Sequence, residues 1–186
     1  MKENIFPAIR LTFVCLLFFS GIYTLIVFGI AQFSTNHGKG EVIRQDNKTY
    51  YANVGQKFTD DKYFNSRPSA VEYNAAGAGG SNKGPSNPGY LKDIQARIDT
   101  FLLHNPGINK SEIPSDLVTA SGSGLDPNIS VQAANIQVKR IARIRGVAEG
   151  NLQQLIISNT EIPLLGFLGT ERINVLKLNI ALDNLK

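Results

Sequence analysis

The chain has 186 residues, a formal net charge of +4 and a single cysteine, Cys15. A charge this small excludes the strongly basic surface typical of nucleic-acid-binding domains, so we expect no nucleic-acid partner. One cysteine also excludes an intramolecular disulfide and a thiolate metal cluster within the chain.

The chain begins with one long apolar segment. From Leu11 to Phe33, 23 residues pass without a charged side chain. A helix of that length, rising about 1.5 Å per residue, reaches roughly 35 Å and can cross a hydrocarbon core of about 30 Å. The alternative is a cleaved signal peptide, whose apolar region usually covers about 7–15 residues before a small-x-small site. This run is longer and Phe33 is not small, which favours an uncleaved transmembrane helix.

The sequence predicts four regions. These are a flank at residues 1–10, the transmembrane helix at 11–33, a polar connector at 34–48 and one soluble domain at 49–186. The two flanks of the helix differ only slightly in basic residues, so the positive-inside rule leans toward a cytoplasmic N-terminus and a domain outside the cytoplasm.

The first half of the domain contains one clear helix. Residues 49–54 are rich in β-formers and predict a strand, and residues 59–64 predict a helical turn. Residues 65–89 are dominated by Gly, Ser, Asn and Pro and predict a long loop. Residues 90–104 carry apolar side chains at helical spacing, and Asn-Pro-Gly at 105–107 ends that helix.

The second half of the domain predicts further helices. Residues 117–120 are interpreted as a short buried strand. Ser130 is the expected N-cap of the next helix and Gly146 its expected C-terminal glycine. Residues 148–157 predict another helix.

The C-terminal segment alternates apolar and polar residues. Over residues 173–182 this alternation favours a half-buried strand, although residues 181–185 are also compatible with a helix. The predicted fold class is therefore α+β: one N-terminal transmembrane helix followed by a single small α+β domain outside the cytoplasm.

Two glycine-rich segments carry most of the remaining information. Residues 63–88 and 116–127 mix Gly with small polar side chains. Such segments are commonly structured loops whose side chains bond their own backbone. The functional alternative is a recognition surface made of loops on a rigid scaffold.

Catalytic and ion-binding interpretations of these segments are weak. The Ser121-Gly122-Ser123-Gly124 run lacks the G-x-S-x-G pattern of a nucleophile elbow, and the only histidines are His37 and His104. Backbone N–H groups in residues 122–125 could form an anion-binding nest. We therefore expect no catalytic residue and no metal ligand set in this chain.

A third feature is a run of basic residues. Lys139, Arg140, Arg143 and Arg145 fall on one predicted helix, for which a solvated face is the default interpretation. Contact with an acidic partner or with anionic lipid is the alternative.

Long motifs in the chain resemble a known family. The motifs are YFxxRPSA from residue 63, YNxxxxGGSNxGPSNP from residue 73, DLVTASGSGLDPxIS from residue 116 and INVLKLNIALD from residue 173. In their order, and together with the single N-terminal span, they resemble the C subunit of the bacterial Kdp-type potassium-transporting ATPase.

This resemblance implies an accessory role in the plasma (inner) membrane. The implied partners are a channel-like potassium-binding subunit, a P-type ATPase subunit and possibly a very small membrane subunit, with membrane lipid around the span. The C subunit is described as assembling the complex and as a catalytic chaperone that raises the ATPase subunit's affinity for ATP. ATP and potassium would act in the complex, with no cofactor bound by this chain alone, because neither a Walker A sequence nor the Asp-Lys-Thr-Gly-Thr phosphorylation motif is present.

The two glycine-rich segments also match the family motifs, so we predict that they face a partner. The residues concerned are Arg67, Pro68, Ser69, Tyr73, Asn74, Gly79, Gly80, Ser81, Asn82, Gly84, Asp116, Thr119, Ser121, Gly122, Ser123, Gly124, Asp126 and Pro127. The alternative function is a stand-alone, membrane-anchored ligand-binding module or hydrolase.

Overall fold

The N-terminal apolar segment forms one continuous helix. The structure, a computed structural model, describes residues 4–45 and 47–185. The helix runs over Ile5–Ala31 with a mean hydropathy of 2.4 and no buried side chain, which makes it a candidate single membrane span. It begins before the predicted first residue, Leu11, because helix formation continues through the polar Arg10, and it ends two residues before Phe33.

A π-helical stretch lies in the middle of this helix. The order is α1 (Ile5–Leu16), the π segment (Leu17–Tyr23) and α2 (Thr24–Ala31). The Thr24 hydroxyl donates to the carbonyl of Phe19, five residues earlier, at 3.0 Å. The wider turn therefore keeps the Thr24 hydroxyl bonded within the helix, as a membrane environment requires.

The chain divides into two compact units, one ending at Ile43 and the other beginning at Arg44. Strands β1 (Val42–Gln45) and β2 (Lys48–Tyr51) form a two-stranded sheet. The strand predicted at residues 49–54 is thus present as β2 but ends earlier.

A long irregular segment separates β2 from α3 (Pro88–His104). The predicted helix at residues 90–104 is confirmed and starts two residues earlier, because the Asn87 side chain accepts the Tyr90 N–H and Pro88 occupies the first turn. The helical turn predicted at residues 59–64 is wrong, since only a turn closed by the Tyr63 N–H on the Asp60 carbonyl occurs there.

Four helices and a small sheet make up the rest of the domain. The helices are α4 (Val131–Asn135), α5 (Val138–Arg145), α6 (Glu149–Ser158) and α7 (Val175–Asp183). The strands β3 (Asn128–Ile129), β4 (Thr160–Glu161) and β5 (Arg172–Asn174) form an antiparallel sheet in the order β3-β5-β4.

The predicted helix ends at Ser130 and Gly146 are confirmed. The Ser130 hydroxyl accepts the Ala133 N–H, and Gly146 ends α5 with a left-handed φ of 66°. The intervening stretch is two helices, because the chain turns at Ile136 and Gln137 between them.

The core lies where these helices meet the sheet. Leu152 and Ile156 of α6 are four residues apart and buried, as are Leu178 and Leu182 of α7. Ile141 of α5 is also fully buried. This i, i+4 spacing places each apolar stripe on one helix face, so burial of these side chains is the main source of stability.

Two predicted strands are wrong. Residues 117–120 contain no strand; the chain there follows a 3₁₀ turn, Ser115–Leu117, that buries Leu117. Residues 173–182 are mostly α7, because the Asn174 side chain accepts the Lys177 N–H at 3.1 Å and starts a helix directly after β5. The same apolar residues satisfy both an alternating and a helical pattern, and the cap decides between them.

Candidate functional site: two interlocked glycine-rich loops

The two glycine-rich loops, residues 63–88 and 116–127, pack against each other through their backbones. The Gly79 N–H donates to the Ser123 carbonyl at 2.8 Å. A Cβ on Gly80 would lie 3.1 Å from the Gly122 carbonyl oxygen, and one on Gly124 would lie 2.8 Å from the Gly79 carbonyl oxygen. Gly124 also has a φ of +67°. Glycine is therefore required here by close approach and by backbone conformation.

An ion pair joins the same two loops. Arg67 Nη1 donates to Asp126 Oδ2 at 3.0 Å, and Arg67 Nε donates to the Thr119 carbonyl at 3.3 Å. Both charged side chains are about a quarter exposed, at 27% and 29%. Asp126 Oδ1 also accepts the Asn128 N–H at 3.0 Å, as expected for the turn before β3. The charges of Arg67 and Asp126 therefore pair with each other within the domain.

Tyr73 fixes the first loop from inside. Its hydroxyl donates to the Arg67 carbonyl at 2.6 Å, and its N–H donates to Ser69 Oγ at 2.9 Å. Burial raises the pKa of Tyr73 to about 12, against a slight opposing effect of the positive charge on Arg97. The phenol therefore remains a neutral hydrogen-bond donor at any physiological pH.

The start of the first loop is held by buried amides. Asn179 of α7 accepts the Phe64 N–H and donates to the Phe64 carbonyl, both at 2.9 Å. Gln137 accepts the Asn65 N–H at 2.8 Å. These side chains replace the backbone partners that a strand would give and satisfy the backbone around the buried Phe64.

Arg140 connects the residues that hold the start of the first loop. Its guanidinium donates to the side chains of Asn105, Gln137 and Asn65 at 2.8–3.0 Å, and to the carbonyls of Tyr63 and Asp61. Burial lowers the pKa of Arg140, while the nearby Asp61 carboxylate acts in the opposite direction.

Sequence reasoning missed these supporting residues. Arg140 and Asn179 sit in helices, and Gln137 directly precedes α5. Their apolar neighbours are buried, so a polar side chain within an apolar stripe was the available signal. The basic-helix interpretation is wrong at Arg140, which is 3% exposed. Arg145 is also engaged: it donates to Asp183 at 2.6 Å.

The structure brings together only part of the predicted partner-facing set. The members that hold the loops to each other are Arg67, Gly79, Gly80, Thr119, Gly122, Ser123, Gly124 and Asp126, while Ser69 and Tyr73 bond within the first loop. Asp116 lies apart and accepts the N–H and hydroxyl of Ser130, and Pro127 accepts the Val175 N–H. Pro68 is half-buried and Ser121 is buried. Asn74, Ser81, Asn82 and Gly84 of the first loop are exposed, as are Gly122 and Ser123 of the second.

The arrangement does not assemble a nucleophile. Ser121 Oγ and Ser123 Oγ lie 3.4 Å apart, and the histidine rings of the described residues bond to the Gln32 carbonyl and to Asp61 rather than to a serine hydroxyl. His104 Nδ1 instead lies 2.9 Å from Asp61 Oδ2. The geometry instead provides two loops that are bonded to each other, with the polar side chains of Asn74, Ser81 and Asn82 exposed on the first loop.

Comparison with known proteins identifies the family. The family model for the K⁺-transporting ATPase c chain, KdpC, matches residues 5–184. The chain belongs to the KdpC family. It is 54% identical over 185 residues to the potassium-transporting ATPase KdpC subunit of Flavobacterium psychrophilum, with 99% of this chain and 100% of that protein covered. The corresponding subunit of Bacteroides thetaiotaomicron is 49% identical over 188 residues, covering 99% and 100%. That of Geobacter sulfurreducens is 48% identical over 194 residues, covering 100% and 99%.

Membership in the KdpC family confirms the resemblance seen in the motifs. A c chain is one subunit of a potassium-transporting P-type ATPase complex, so partner subunits are implied. One apolar N-terminal helix fits a single-pass membrane subunit.

The stand-alone alternative needs a ligand pocket, and one groove lies beside α3. It encloses about 480 Å³ and is lined by Phe58, Phe101 and Leu117, with Arg97 and His104 among its polar residues. Arg97 Nη1 already donates to the Val118 carbonyl at 2.9 Å, and His104 is bonded to Asp61. Arg97 and His104 of this groove are therefore engaged within the domain.

Proposed function

We propose that this chain is the non-catalytic accessory subunit of a Kdp-type potassium-importing ATPase, which it assembles and stabilises. The match of the KdpC family model over residues 5–184 carries this proposal. The two loops support it, because Arg67 bonds to Asp126 and the Tyr73 hydroxyl bonds to the Arg67 carbonyl, so these side chains serve the fold.

The proposed topology is one span with a cytoplasmic N-terminus and the domain outside the cytoplasm, in the plasma (inner) membrane. ATP is cytoplasmic, so a domain on the other side cannot contact it. A catalytic-chaperone effect on ATP affinity would then be a coupling free energy transmitted through the complex. Such couplings typically change affinity about 5- to 150-fold. No cofactor is proposed for this chain; ATP and potassium act on its partners.

The proposed partners are the channel-like potassium-binding subunit and the P-type ATPase subunit, possibly with a very small membrane subunit. The proposed contact surface on the domain is formed by the exposed residues of the first loop, Asn74, Ser81, Asn82 and Gly84. Asn82 is exposed and has a left-handed φ of 53°, so Asn82→Gly removes the side chain without backbone strain. Asn47 is also exposed with a φ of 61°, which makes Asn47→Gly the matched control.

The enzyme kinetics of the complex test this proposal. Complexes with and without the chain are compared for potassium-stimulated ATP hydrolysis over a range of ATP concentrations. We expect loss of the chain to destabilise the complex or to raise the KM for ATP by about 5- to 150-fold. We also expect Asn82→Gly to reduce potassium-stimulated activity while Asn47→Gly does not. An intact complex with an unchanged KM in the absence of the chain contradicts the proposal.

A further inference from the structure

Tyr23 is a polar side chain of the membrane helix that the helix itself does not satisfy. Serine and threonine hydroxyls can bond to a carbonyl about one turn earlier in their own helix, as Thr24 does with Phe19 at 3.0 Å. The Tyr23 hydroxyl stands at the far end of a rigid ring, beyond the reach of those carbonyls. Within residues 4–45 and 47–185 it forms no hydrogen bond, so it remains able both to donate and to accept one.

Tyr23 also lies near the middle of the hydrocarbon. The uncharged run extends 12 residues before Tyr23 and ten residues after it. At about 1.5 Å per residue, its Cα is roughly 15–18 Å from either end of that run. A helical side chain leans toward the helix N-terminus, which here is the more distant end. The phenol therefore does not reach the headgroups, unlike the tyrosines that typically lie at membrane interfaces.

Lipid does not satisfy this hydroxyl. Acyl chains carry no hydrogen-bond donor or acceptor, and the hydrocarbon core contains no water to replace them. An unbonded hydroxyl in an apolar medium costs about 1–3 kcal/mol by comparison with mutational data. The Tyr23 side chain is 56% exposed on the helix surface, so its neighbour in the bilayer has to bring a polar group into the hydrocarbon.

A second copy of the chain is a poor source of that group. A symmetric pair brings the same surface of both copies together, so the two Tyr23 hydroxyls meet each other. One of them donates and the other accepts, which leaves the proton of the second without an acceptor. A different helix that carries an oxygen acceptor satisfies the donor in full.

We propose that the Tyr23 hydroxyl donates a hydrogen bond, inside the bilayer, to an oxygen acceptor on a membrane helix of a partner subunit of the Kdp complex. This inference rests on the proposed accessory function and adds a contact within the membrane, separate from the exposed residues of the first loop. Tyr23 ends the π segment (Leu17–Tyr23), and such segments occur frequently at functional sites. A buried tyrosine suits this role because its ring supplies apolar contact area and its hydroxyl supplies specificity.

Site-specific photocrosslinking in the full complex identifies the neighbour of Tyr23. Tyr23 is replaced by benzoylphenylalanine, and Leu25, which is 69% exposed and lies on nearly the opposite side of the helix, is replaced in the matched control. We expect position 23 to cross-link to a partner subunit and position 25 to do so far less. If position 23 cross-links only to lipid, only to a second 20.3-kDa chain, or to nothing in a complex that co-purifies, the inference is overturned.

Removal of the hydroxyl alone tests the hydrogen bond. Tyr23→Phe keeps the ring, and Thr12→Val is the control because a threonine hydroxyl can bond within its own helix. The rate at which the chain leaves the detergent-purified complex is measured by exchange with an excess of labelled chain. We expect Tyr23→Phe to leave about 3- to 20-fold faster than wild type and Thr12→Val to leave at the wild-type rate. Equal rates for all three proteins overturn the inference. If the wild-type chain itself retains no partner, the proposed function fails, which is a different result.

Discussion

The glycine-rich loops and the exposed apolar segment at residues 162–168, which we call the apolar finger, differ in whether their side chains find partners within the domain. In the loops, Arg67 bonds to Asp126 and Tyr73 bonds to the Arg67 carbonyl, so charge and polarity are satisfied inside the domain. In the finger, Leu165 and Phe167 are about three-quarters exposed and contribute little to the core. A distinctive sequence motif can therefore serve the fold, while a plain apolar run stays exposed.

This difference predicts opposite responses to substitution. Changes in or beneath the loops should lower the free energy of unfolding of the chain itself. Changes in the finger should leave that free energy almost unchanged. The expected effects on the unfolding of the full chain in detergent follow, from the largest to the smallest.

The largest effect is expected for Arg140→Met. This change leaves the side-chain oxygens of Asn105 and Asn65 without their donor and removes one of the two donors to Gln137, so the free energy of unfolding should fall by about 3–5 kcal/mol. Urea unfolding followed by circular dichroism measures it. Arg143→Met on the exposed side of the same helix is the control, with an expected change within about 0.5 kcal/mol. Equal changes in the two variants would show that Arg140 does not support the loop.

The next effect is expected for Gly124→Ala. The new Cβ would lie 2.7 Å from Val71 Cγ2 and 2.8 Å from the Gly79 carbonyl oxygen, at a φ of +67°. Strain and steric overlap together should cost about 2–4 kcal/mol. Nothing lies within 4 Å of a Cβ on Gly122, so Gly122→Ala should cost less than about 0.5 kcal/mol. A tolerated Gly124→Ala would contradict the close packing of the two loops.

A third prediction concerns alkaline pH. The pKa of Tyr73 is raised from 10.0 to about 12 in the folded chain, so between those values the unfolded chain loses its proton first and stability falls as pH rises. The contribution of Tyr73 to that fall is about 2 kcal/mol, and it is absent below pH 10. Tyr73→Phe should therefore flatten the decline between pH 10 and 12, whereas Tyr51→Phe at an exposed position should not. An identical decline in all three proteins would show that the Tyr73 phenol is not buried.

The smallest effect is expected for the finger. Leu165→Ser with Phe167→Ser should change the free energy of unfolding by less than about 0.5 kcal/mol, because neither side chain is buried. The same urea titration measures it. A loss comparable to that of Gly124→Ala would mean that the finger belongs to the fold and would remove the contrast between the two regions.

Local patterns predicted the helices that carry their own start and stop signals. The helix ending at Gly146 and the helix α3 are present because caps and apolar spacing agree. Residues 173–182 were mispredicted as a strand because their apolar residues fit two periods, and only the Asn174 cap separates them. The contacts of Arg140 with Asn65 and Asn105 join distant parts of the chain, which a local pattern does not encode.

The location of the candidate site was predictable from the sequence, but the contacts that its residues make were not. Glycine-rich composition correctly marked the two loops as structured, and the family motifs covered both. Composition could not show that Gly79 and Gly124 serve loop-to-loop packing, because that depends on which backbones meet. No element or site was predicted at residues 162–168, so the exposed apolar side chains there were missed.

Co-purification tests the central claim most directly. The full chain with a C-terminal tag is extracted from native membranes in mild detergent, and the proteins that accompany it are identified by mass spectrometry. The account predicts a channel-like protein and a P-type ATPase in equal amounts with the chain, together with potassium-stimulated ATP hydrolysis. A chain that purifies alone from membranes containing both proteins would contradict it.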